Sequence, residues 1–257
     1  MGGHAGVSRT RGILDTNHIS ELRTFAQSPA LLAFDYDGTL SPIAPTPERA
    51  RLPAPTKRLL TRVAKRYPLV VISGRALADI SERVADIDVR QVFGNHGLEW
   101  SGAVSRPRAQ VRQWVDRLHK QLDGVPGVVI EDKAHSVSVH YRAAPDHRRA
   151  LKGILPVVRA LHGVRVICGA AAVNLLPDHG ANKGVALRRA LEVSGCEKVI
   201  YVGDDETDED AFAALEPDKL LAIRIGPSGK SRARYHLESQ DSIDLLLRTL
   251  IDARDGA

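Results

Sequence analysis

Two aspartates lie close together at the end of a short apolar run, in the segment LLAFDYDGTL at residues 31–40. A short apolar run that ends in a turn residue is typical of a buried parallel strand. Asp35 and Asp37 are two residues apart where the chain leaves that strand, and Gly38 permits a turn at this point. Two carboxylates at the mouth of a buried strand repel each other unless a cation lies between them. Oxygen ligands of this kind suit a hard ion such as Mg²⁺.

A second segment places potential phosphate-binding groups after a predicted strand. Ser73, Gly74 and Arg75 follow the apolar strand 68–72 and lead directly into a helix that begins near Ala76. A glycine lets the backbone approach an anion, and the free amides at a helix N-terminus face it. This segment is therefore a candidate phosphate site, although a Ser-Gly pair after a strand is also an ordinary turn.

A basic residue and an acidic cluster lie further along the chain. Lys183 is in the first turn of the predicted helix 181–194, a position where the helix dipole favours acidic residues. The strand 198–202 ends in GDDETDED, so Asp204 and Asp205 emerge at the carboxyl end of a buried strand. Taken separately, these features also fit a solvated lysine and an acidic surface loop. The strand context of the acidic residues favours metal binding.

The elements that position these residues alternate between strand and helix. The predicted strands lie near residues 31–34, 68–72, 91–93, 198–202 and 220–225, and the predicted helices near 16–27, 55–66, 76 onward, 181–194 and 239–252. Such alternation predicts a parallel sheet with helices on both faces. Because ligands bind at the carboxyl ends of strands in such a sheet, we expect the candidate residues to meet at one edge.

The pattern changes between residues 104 and 178. A helix (107–122), a hairpin (128–142), a second helix (146–161) and two short strands (164–169 and 172–177) follow one another there. This order predicts a small α+β unit, distinct from the βαβ pattern around it. The predicted organisation is a disordered tail at 1–16, a core formed by 17–103 and 179–257, and an inserted domain at 104–178.

Length and composition indicate a soluble globular protein. The chain has 257 residues, of which 43 % are hydrophobic and 26 % charged, as in a folded protein with a substantial core. No apolar run is long enough to span a bilayer. The opening segment MGGHAGVSRTRG has no hydrophobic centre, so we expect no secretory signal. Cys168 and Cys196 are expected to be buried free thiols in a cytoplasmic protein.

The net charge of +5 does not by itself indicate a nucleic acid partner. Aromatic residues make up only 4 % of the chain, and no basic block is interleaved with aromatics that could stack on bases. An anionic small molecule explains a mild positive bias equally well. We therefore expect a monomer that binds a small molecule, with neither a nucleic acid nor a membrane as partner.

The order of the segments resembles the four motifs of the haloacid dehalogenase superfamily of phosphatases: DYDGTL, SGR, the lysine of NKG, and GDDETDE. The inserted unit resembles the larger α/β cap of that superfamily. Four longer segments, GNHGLE, EDKAHSVSVHYR, NKGVAL and GDDETDEDAF, together resemble trehalose-6-phosphate phosphatases over about residues 18–250. The resemblance implies an α/β fold, with a Rossmann-like parallel-sheet core and an inserted α+β cap that selects the substrate.

The residue chemistry and the resemblance indicate the same reaction, a phosphoryl transfer with Mg²⁺ as cofactor. Asp35 would attack phosphorus and form an aspartyl-phosphate. Asp37 would first protonate the leaving alkoxide and then deprotonate the hydrolytic water. Ser73 and Lys183 would hold the remaining phosphate oxygens. Asp204 would complete the metal site with Asp35 and the main-chain carbonyl of Asp37. Asp205 and Asp208 would be outer or water-mediated partners.

Substrate contacts are expected in the core and in the cap. The residues that the resemblance implies are Gly74, Arg75, Asn95, His96, Gly97, Glu99, Lys133, Ser136, His140, Arg142 and Asn174. One residue departs from the family, which usually has a glutamate in a Glu-x-x-Pro pattern where this chain has Asn174. An asparagine still hydrogen-bonds a hydroxyl, but it lacks the charge that strengthens such bonds.

The expected activity is hydrolysis of trehalose 6-phosphate to trehalose and phosphate. Three alternatives stay open at this point. The first is a phosphatase of the same superfamily that acts on another phosphorylated glycoside or sugar, such as glucosylglycerol phosphate or sucrose 6-phosphate. The second is a phosphomutase, which the capped design disfavours. The third is a non-catalytic binding module, against which the retention of all the core residues argues.

Overall fold

The computed structural model describes residues 10–100, 103–104, 108–169, 171–178 and 182–256. The chain forms two compact units. The core unit comprises residues 1–101 and 182–257, and the inserted unit comprises residues 102–181. The inserted unit begins two residues before and ends three residues after the 104–178 expected from the sequence.

Helices and strands alternate through most of the chain. The helices are α1 (Ile19–Gln27), α2 (Ala54–Ala64), α3 (Leu77–Arg83), α4 (Arg108–Leu122), α5 (His147–Arg159), α6 (Lys183–Ser194), α7 (Glu209–Phe212) and α8 (Ile243–Asp255). The strands are β1 (Arg11–Gly12), β2 (Ala30–Phe34), β3 (Leu69–Ile72), β4 (Gln91–Gly94), β5 (Glu99–Trp100), β6 (Ala103–Val104), β7 (Val129–Asp132), β8 (Val137–His140), β9 (Val164–Gly169), β10 (Ala172–Pro177), β11 (Lys198–Gly203), β12 (Leu220–Ile225) and β13 (Tyr235–Leu237). No helix in the described ranges is both long and apolar enough to cross a membrane.

The core unit is built on a mainly parallel sheet whose strands lie in the order β1-β13-β12-β11-β2-β3-β4-β5. All neighbouring pairs from β1 to β4 run parallel, and only β5 is antiparallel to its neighbour β4. Phe34 at the end of β2 is level with Val202 on one side and Val71 on the other. The residues that follow these three strands therefore emerge at one edge of the sheet.

Both faces of this sheet are covered, because alternate residues of β2 pack into different hydrophobic clusters. Leu32 and Phe34 belong to a cluster that includes residues of α1, α2 and α8. Leu31 and Ala33 belong to a second cluster, with residues of α6 and α7. All five residues of β2 are fully buried, which explains why its sequence is continuously apolar. The predicted parallel α/β core is confirmed.

The inserted unit is a four-stranded sheet in the order β7-β8-β10-β9, with every pair antiparallel. Val137 and Val139 of β8 pack in one hydrophobic cluster with residues of α4 and α5. Since side chains alternate along a strand, Ser138 and His140 face away from those helices. The hairpin register places Ser138 beside Glu131 on one side and Asn174 on the other. A row of polar side chains therefore crosses the face of this sheet that points away from α4 and α5.

Two sequence expectations need correction. Residues 10–16 are not a disordered tail, because Arg11 and Gly12 pair with Tyr235 and His236 and Ile13 is fully buried. Residues 1–9 of the expected tail lie outside the described ranges. Strands of two and three residues are too short to give a periodic signal, so neither β1 nor its partner β13 could be predicted.

The cysteines are also less buried than expected. Cys168 is exposed and Cys196 is half-buried, and neither forms a disulfide. Cys168 belongs to β9, an edge strand of the inserted sheet, where apolar neighbours in the sequence do not guarantee burial.

Candidate active site

Asp35 and Lys183 form a buried ion pair at the carboxyl end of β2. The backbone N–H of Asp35 donates to the carbonyl of Val202 on β11 (2.9 Å). Lys183 is the first residue of α6, whose start is fixed by Asn182, since its side chain accepts a hydrogen bond from the Val185 N–H. Lys183 Nζ lies 3.1 Å from Asp35 Oδ1, and 2 % of the lysine is exposed. The sheet register and a helix cap thus bring two predicted residues into contact.

Asp208 holds both this lysine and the acidic loop. Its Oδ1 accepts hydrogen bonds from Lys183 Nζ (2.8 Å) and from the Tyr201 hydroxyl (2.6 Å). Its Oδ2 accepts from the backbone N–H groups of Asp204 and Asp205, at 3.0 Å each. Because Asp208 is fully buried, these four contacts fix the shape of the cluster. Tyr201 was not predicted from the sequence, where its only signal was a polar tip within an apolar strand.

Three carboxylates converge where the motifs meet. One oxygen from each of Asp35, Asp204 and Asp208 lies within 4.8 Å of the others. Gly38 has a φ of +83°, and a Cβ there would overlap the Asp204 carboxylate, so this turn requires glycine. Thr39 Oγ1 donates a hydrogen bond to Asp204 Oδ1 (3.2 Å). This all-oxygen cluster could hold a metal ion, and its donor type suits a hard divalent cation.

The electrostatics of the cluster also fit a cation. Burial raises the pKa of Asp35 well above its ordinary value, Lys183 opposes that rise, and the neighbouring carboxylates add to it. Burial, followed by the charges of Asp208 and Asp205, raises the pKa of Asp204 to about 7. Burial also acts to raise the pKa of Asp205, but Lys183 and a local hydrogen bond outweigh it and lower this pKa to about 2. A bound cation would relieve the mutual repulsion of these buried groups.

The side chain of Asp37 turns towards Arg75 instead of joining the three converging carboxylates. Arg75 Nε donates to Asp37 Oδ2 (2.7 Å) and Arg75 Nη2 to Asp37 Oδ1 (2.6 Å). The same guanidinium donates through Nη1 to Asp79 Oδ2 (2.7 Å) and through Nη2 to the carbonyl of Pro47 (2.8 Å). Arg75, expected from the resemblance to contact substrate, is thus bonded to protein groups.

The Ser73 segment and the loop after β4 are packed together. Ser73 is fully buried, its N–H donates to the Phe93 carbonyl, and its own carbonyl accepts from the His96 N–H (2.9 Å each). A Cβ at Gly74 would lie 2.6 Å from Cε1 of the His96 ring, so a larger residue there would force the ring to move. Asn95 and His96 have φ values of 46° and 56°, a backbone region that is uncommon for non-glycine residues but is adopted more often by Asn and His than by most others. The two predicted loops therefore form one compact structure.

Two further residues of that loop have structural contacts. A Cβ at Gly97 would lie 2.8 Å from the Ala186 Cβ and 2.9 Å from the Asn182 carbonyl oxygen, so the loop is close to the start of α6. Glu99 Oε2 accepts a hydrogen bond from the Leu77 N–H (2.8 Å) at the start of α3. Acidic groups stabilise helix N-termini, so Glu99 supports the helix that follows the Ser73 segment.

Polar contacts link several side chains of the inserted sheet, among them the candidates Lys133, His140 and Asn174. His140 Nε2 is 2.7 Å from Glu131 Oε2, and Lys133 Nζ lies 3.6 Å from the same oxygen. Burial acts to raise the pKa of Glu131, but its contacts with His140 and Lys133 outweigh burial and lower it. Ser138 Oγ donates to Asn174 Oδ1 (2.7 Å). Glu131 was not among the predicted residues, although the alternation of the hairpin places it opposite Ser138.

Ser136 and Arg142 lie at the two ends of β8. Ser136 is buried, and its carbonyl accepts from the Lys133 N–H (3.0 Å), which closes the hairpin turn. The carbonyl of Arg142 is 2.9 Å from His147 Nε2 at the start of α5. Both of these contacts are made by the backbone.

Comparisons with known proteins support the resemblance. Residues 33–242 match the family model described as trehalose-phosphatase. A trehalose-phosphate phosphatase of Mycolicibacterium paratuberculosis is 37 % identical over 209 residues, which cover 75 % of this chain and 53 % of that protein. The chain therefore spans about half the length of that curated relative.

Two solved structures share the fold. The C-terminal domain of a trehalose-6-phosphate phosphatase from C. albicans has a TM-score of 0.78 at 24 % identity and covers 95 % of this chain and 98 % of its own. A sugar phosphatase of haloacid dehalogenase subclass IIB has a TM-score of 0.57 at 17 % identity, covering 84 % and 96 % respectively. The haloacid dehalogenase fold is thereby confirmed. From the family model and the identity to its curated relative, this chain belongs to the trehalose-phosphatase family.

Proposed function

We propose that the chain is a Mg²⁺-dependent phosphatase that hydrolyses trehalose 6-phosphate through an aspartyl-phosphate. The observation that supports this best is the buried contact between Asp35 and Lys183, beside Asp204, at the carboxyl edge of the sheet. A nucleophilic carboxylate, a fixed cation and an oxygen-rich metal site are the groups that phosphoryl transfer requires. Family membership and the names of the relatives point to the same substrate.

Asp35 is the proposed nucleophile and Asp37 the proposed acid and base. An oxygen of Asp35 bonds to phosphorus while the bond between phosphorus and the sugar oxygen breaks. Asp37 donates its proton to that leaving oxygen. A water molecule then attacks the aspartyl-phosphate, Asp37 takes up a proton from the water, and phosphate leaves with the carboxylate of Asp35 restored. Lys183 and Ser73 hold the phosphate oxygens during both steps.

Asp35, Asp204 and the main-chain carbonyl of Asp37 are the proposed Mg²⁺ ligands. When bound, Mg²⁺ would neutralise charge on the phosphate and on the carboxylates around it. Asp208 belongs to the same cluster, but its two oxygens already accept four hydrogen bonds. We therefore assign Asp208 to holding Lys183 and the loop, and Asp205 to an outer position.

The inserted unit is proposed to select the sugar. Lys133, Ser136, His140, Arg142 and Asn174 stay predictions from the resemblance. The carbonyl oxygen of Asn174 is already bonded to Ser138, which leaves its amide hydrogens as the groups offered to a ligand. An asparagine therefore offers donors where a glutamate would offer only acceptors, and another phosphorylated glycoside stays the second candidate substrate. A monomeric state and a cytoplasmic location also stay predictions from the sequence.

The test is phosphate release from a panel of sugar phosphates, with Mg²⁺ and with EDTA. The panel contains trehalose 6-phosphate, glucose 6-phosphate, sucrose 6-phosphate and glucosylglycerol phosphate. We expect trehalose 6-phosphate to have the highest kcat/KM, EDTA to abolish turnover, and added Mg²⁺ to restore it. Preference for another compound would change the proposed substrate but not the proposed mechanism. Turnover that is unaffected by EDTA would refute the metal assignment.

A further inference from the structure

The contact between Arg75 and Asp37 has the geometry of a two-point clamp. Two parallel hydrogen bonds, of 2.7 and 2.6 Å, join the guanidinium to both oxygens of the carboxylate. Such bidentate pairs fix the plane of the carboxyl group as well as its position. The Asp37 side chain is 40 % exposed, so without this partner it would be free to rotate into solvent.

Arg75 is itself held rigidly. Only 9 % of its side chain is exposed, and it bonds to Asp79 and to the Pro47 carbonyl as well as to Asp37. Its guanidinium also lies over the Tyr36 ring, 5.5 Å from the centroid. The four hydrogen bonds to protein oxygens leave a single guanidinium N–H for any other partner. This arrangement makes Arg75 a poor candidate for a direct phosphate ligand.

We propose that Arg75 is a positioning residue that directs the Asp37 carboxyl group towards the leaving oxygen of the substrate. The inference rests on the proposed function, in which Asp37 is the acid and base. In the first step, one Asp37 oxygen gives its proton to the leaving oxygen, while the other oxygen stays hydrogen-bonded to Arg75. The carboxylate that results is the form to which the guanidinium binds through both oxygens. Arg75 therefore holds the group in place between its acid and base roles.

Asp79 links Arg75 to a second arginine. It bonds Arg75 through Oδ2 and Arg83 through Oδ1, at 2.7 and 2.9 Å. Arg83 in turn donates to the carbonyl of Ala50 (2.6 Å), whereas Asp37 is bonded by Arg75. Arg83 is thus a matched control: it is a guanidinium that bonds the same carboxylate, Asp79, but it lies outside the proposed clamp.

The test compares two leaving groups in Arg75→Gln, Arg75→Lys and Arg83→Gln. Trehalose 6-phosphate releases an alkoxide that needs a proton, whereas p-nitrophenyl phosphate releases a stabilised phenolate that does not. Formation of the phosphoenzyme is followed in single-turnover experiments, and circular dichroism checks each fold. In Arg75→Gln we expect the rate with the sugar phosphate to fall ~100-fold and the rate with the aryl phosphate to change only a few-fold. Arg75→Lys should recover part of the loss, and Arg83→Gln should match the wild type.

Other outcomes overturn the inference. Equal losses with both substrates would mean that Arg75 is merely structural. A raised KM for both, with kcat retained, would make it a phosphate ligand. A wild-type enzyme that forms no phosphoenzyme on Asp35 would remove the proposed function itself, and the inference with it. If Arg75→Gln does not fold, the same comparison of the two substrates in Arg75→Lys tests the inference. This variant keeps the charge and loses the two-point geometry.

Discussion

The core unit and the inserted unit both carry charged networks, but they hold them differently. In the core, Lys183 is 2 % exposed and Asp35 6 %, and Asp208 is fully buried. In the inserted unit, the side chains of Glu131 and His140 are 41 % and 29 % exposed. The effect of a buried charge on stability depends strongly on its partners, whereas exposed ion pairs contribute little to stability. Substitutions in the core network are therefore expected to destabilise the fold, whereas the polar row of the inserted sheet can vary without loss of the fold.

The comparison predicts the largest effect for Asp35, the proposed nucleophile. Asp35→Asn should lower turnover by ~10⁴-fold or more, as removal of a nucleophile does in other covalent enzymes. Asn174→Ala in the inserted unit should change KM by several-fold and leave kcat similar. Steady-state phosphate release with both variants checks this contrast. A fully active Asp35→Asn variant would rule out the covalent mechanism.

A second test concerns stability. Lys183→Met leaves two buried carboxylates without their cation and should lower the free energy of unfolding by about 3–5 kcal/mol. Lys57→Met is the control, because the pair between Lys57 and Asp86 is exposed and should contribute under about 1 kcal/mol. Thermal unfolding in EDTA measures both. Equal losses in the two variants would remove the distinction between buried and exposed networks.

Substitution of Gly38 is expected to have a smaller effect on stability and to affect the proposed metal site as well. Gly38→Ala should destabilise by more than Gly195→Ala, since both glycines have positive φ, 83° and 73°, but only Gly38 faces Asp204. Gly195→Ala should cost about 1–2 kcal/mol from the backbone alone. Unfolding curves with and without Mg²⁺ check this, because only Gly38→Ala should also lose stabilisation by the metal. An unaltered metal effect in Gly38→Ala would contradict the assignment of Asp204 as a ligand.

The smallest expected effect is a pH dependence in the inserted unit. The pKa of Glu131 is lowered from its ordinary value of 4.5, so its pairing stabilises the fold above that pH and is lost as the pH falls through the lowered pKa. The difference in stability between wild type and Glu131→Gln should therefore shrink on acidification, from under about 1 kcal/mol at neutral pH. Glu192→Gln, at an exposed position on α6, serves as the control. A difference that grows in acid would have the wrong sign.

Local sequence patterns were sufficient to predict the parallel core. The apolar run before Asp35 and the alternation of strand and helix predicted the edge where Lys183 and Asp204 meet. The contact between Arg75 and Asp37 could not be predicted, because it depends on how two loops cross, which no local spacing records. Glu131 was missed for a related reason: its partners His140 and Lys133 become neighbours only once the register of the hairpin is known. Burial of Cys168 was wrongly expected because local apolarity does not distinguish a central from an edge strand.

The order of the strands also matters during synthesis of the chain. Strand β2 acquires its neighbour β3 early, but its other neighbour, β11, follows only after the entire inserted unit has been made, since Ala30 pairs with Lys198. Until then, a fully apolar strand would present an open hydrogen-bonding edge, which favours aggregation. The inserted unit is continuous in sequence and has its own hydrophobic cluster. It can therefore acquire structure before the second half of the core has been synthesised.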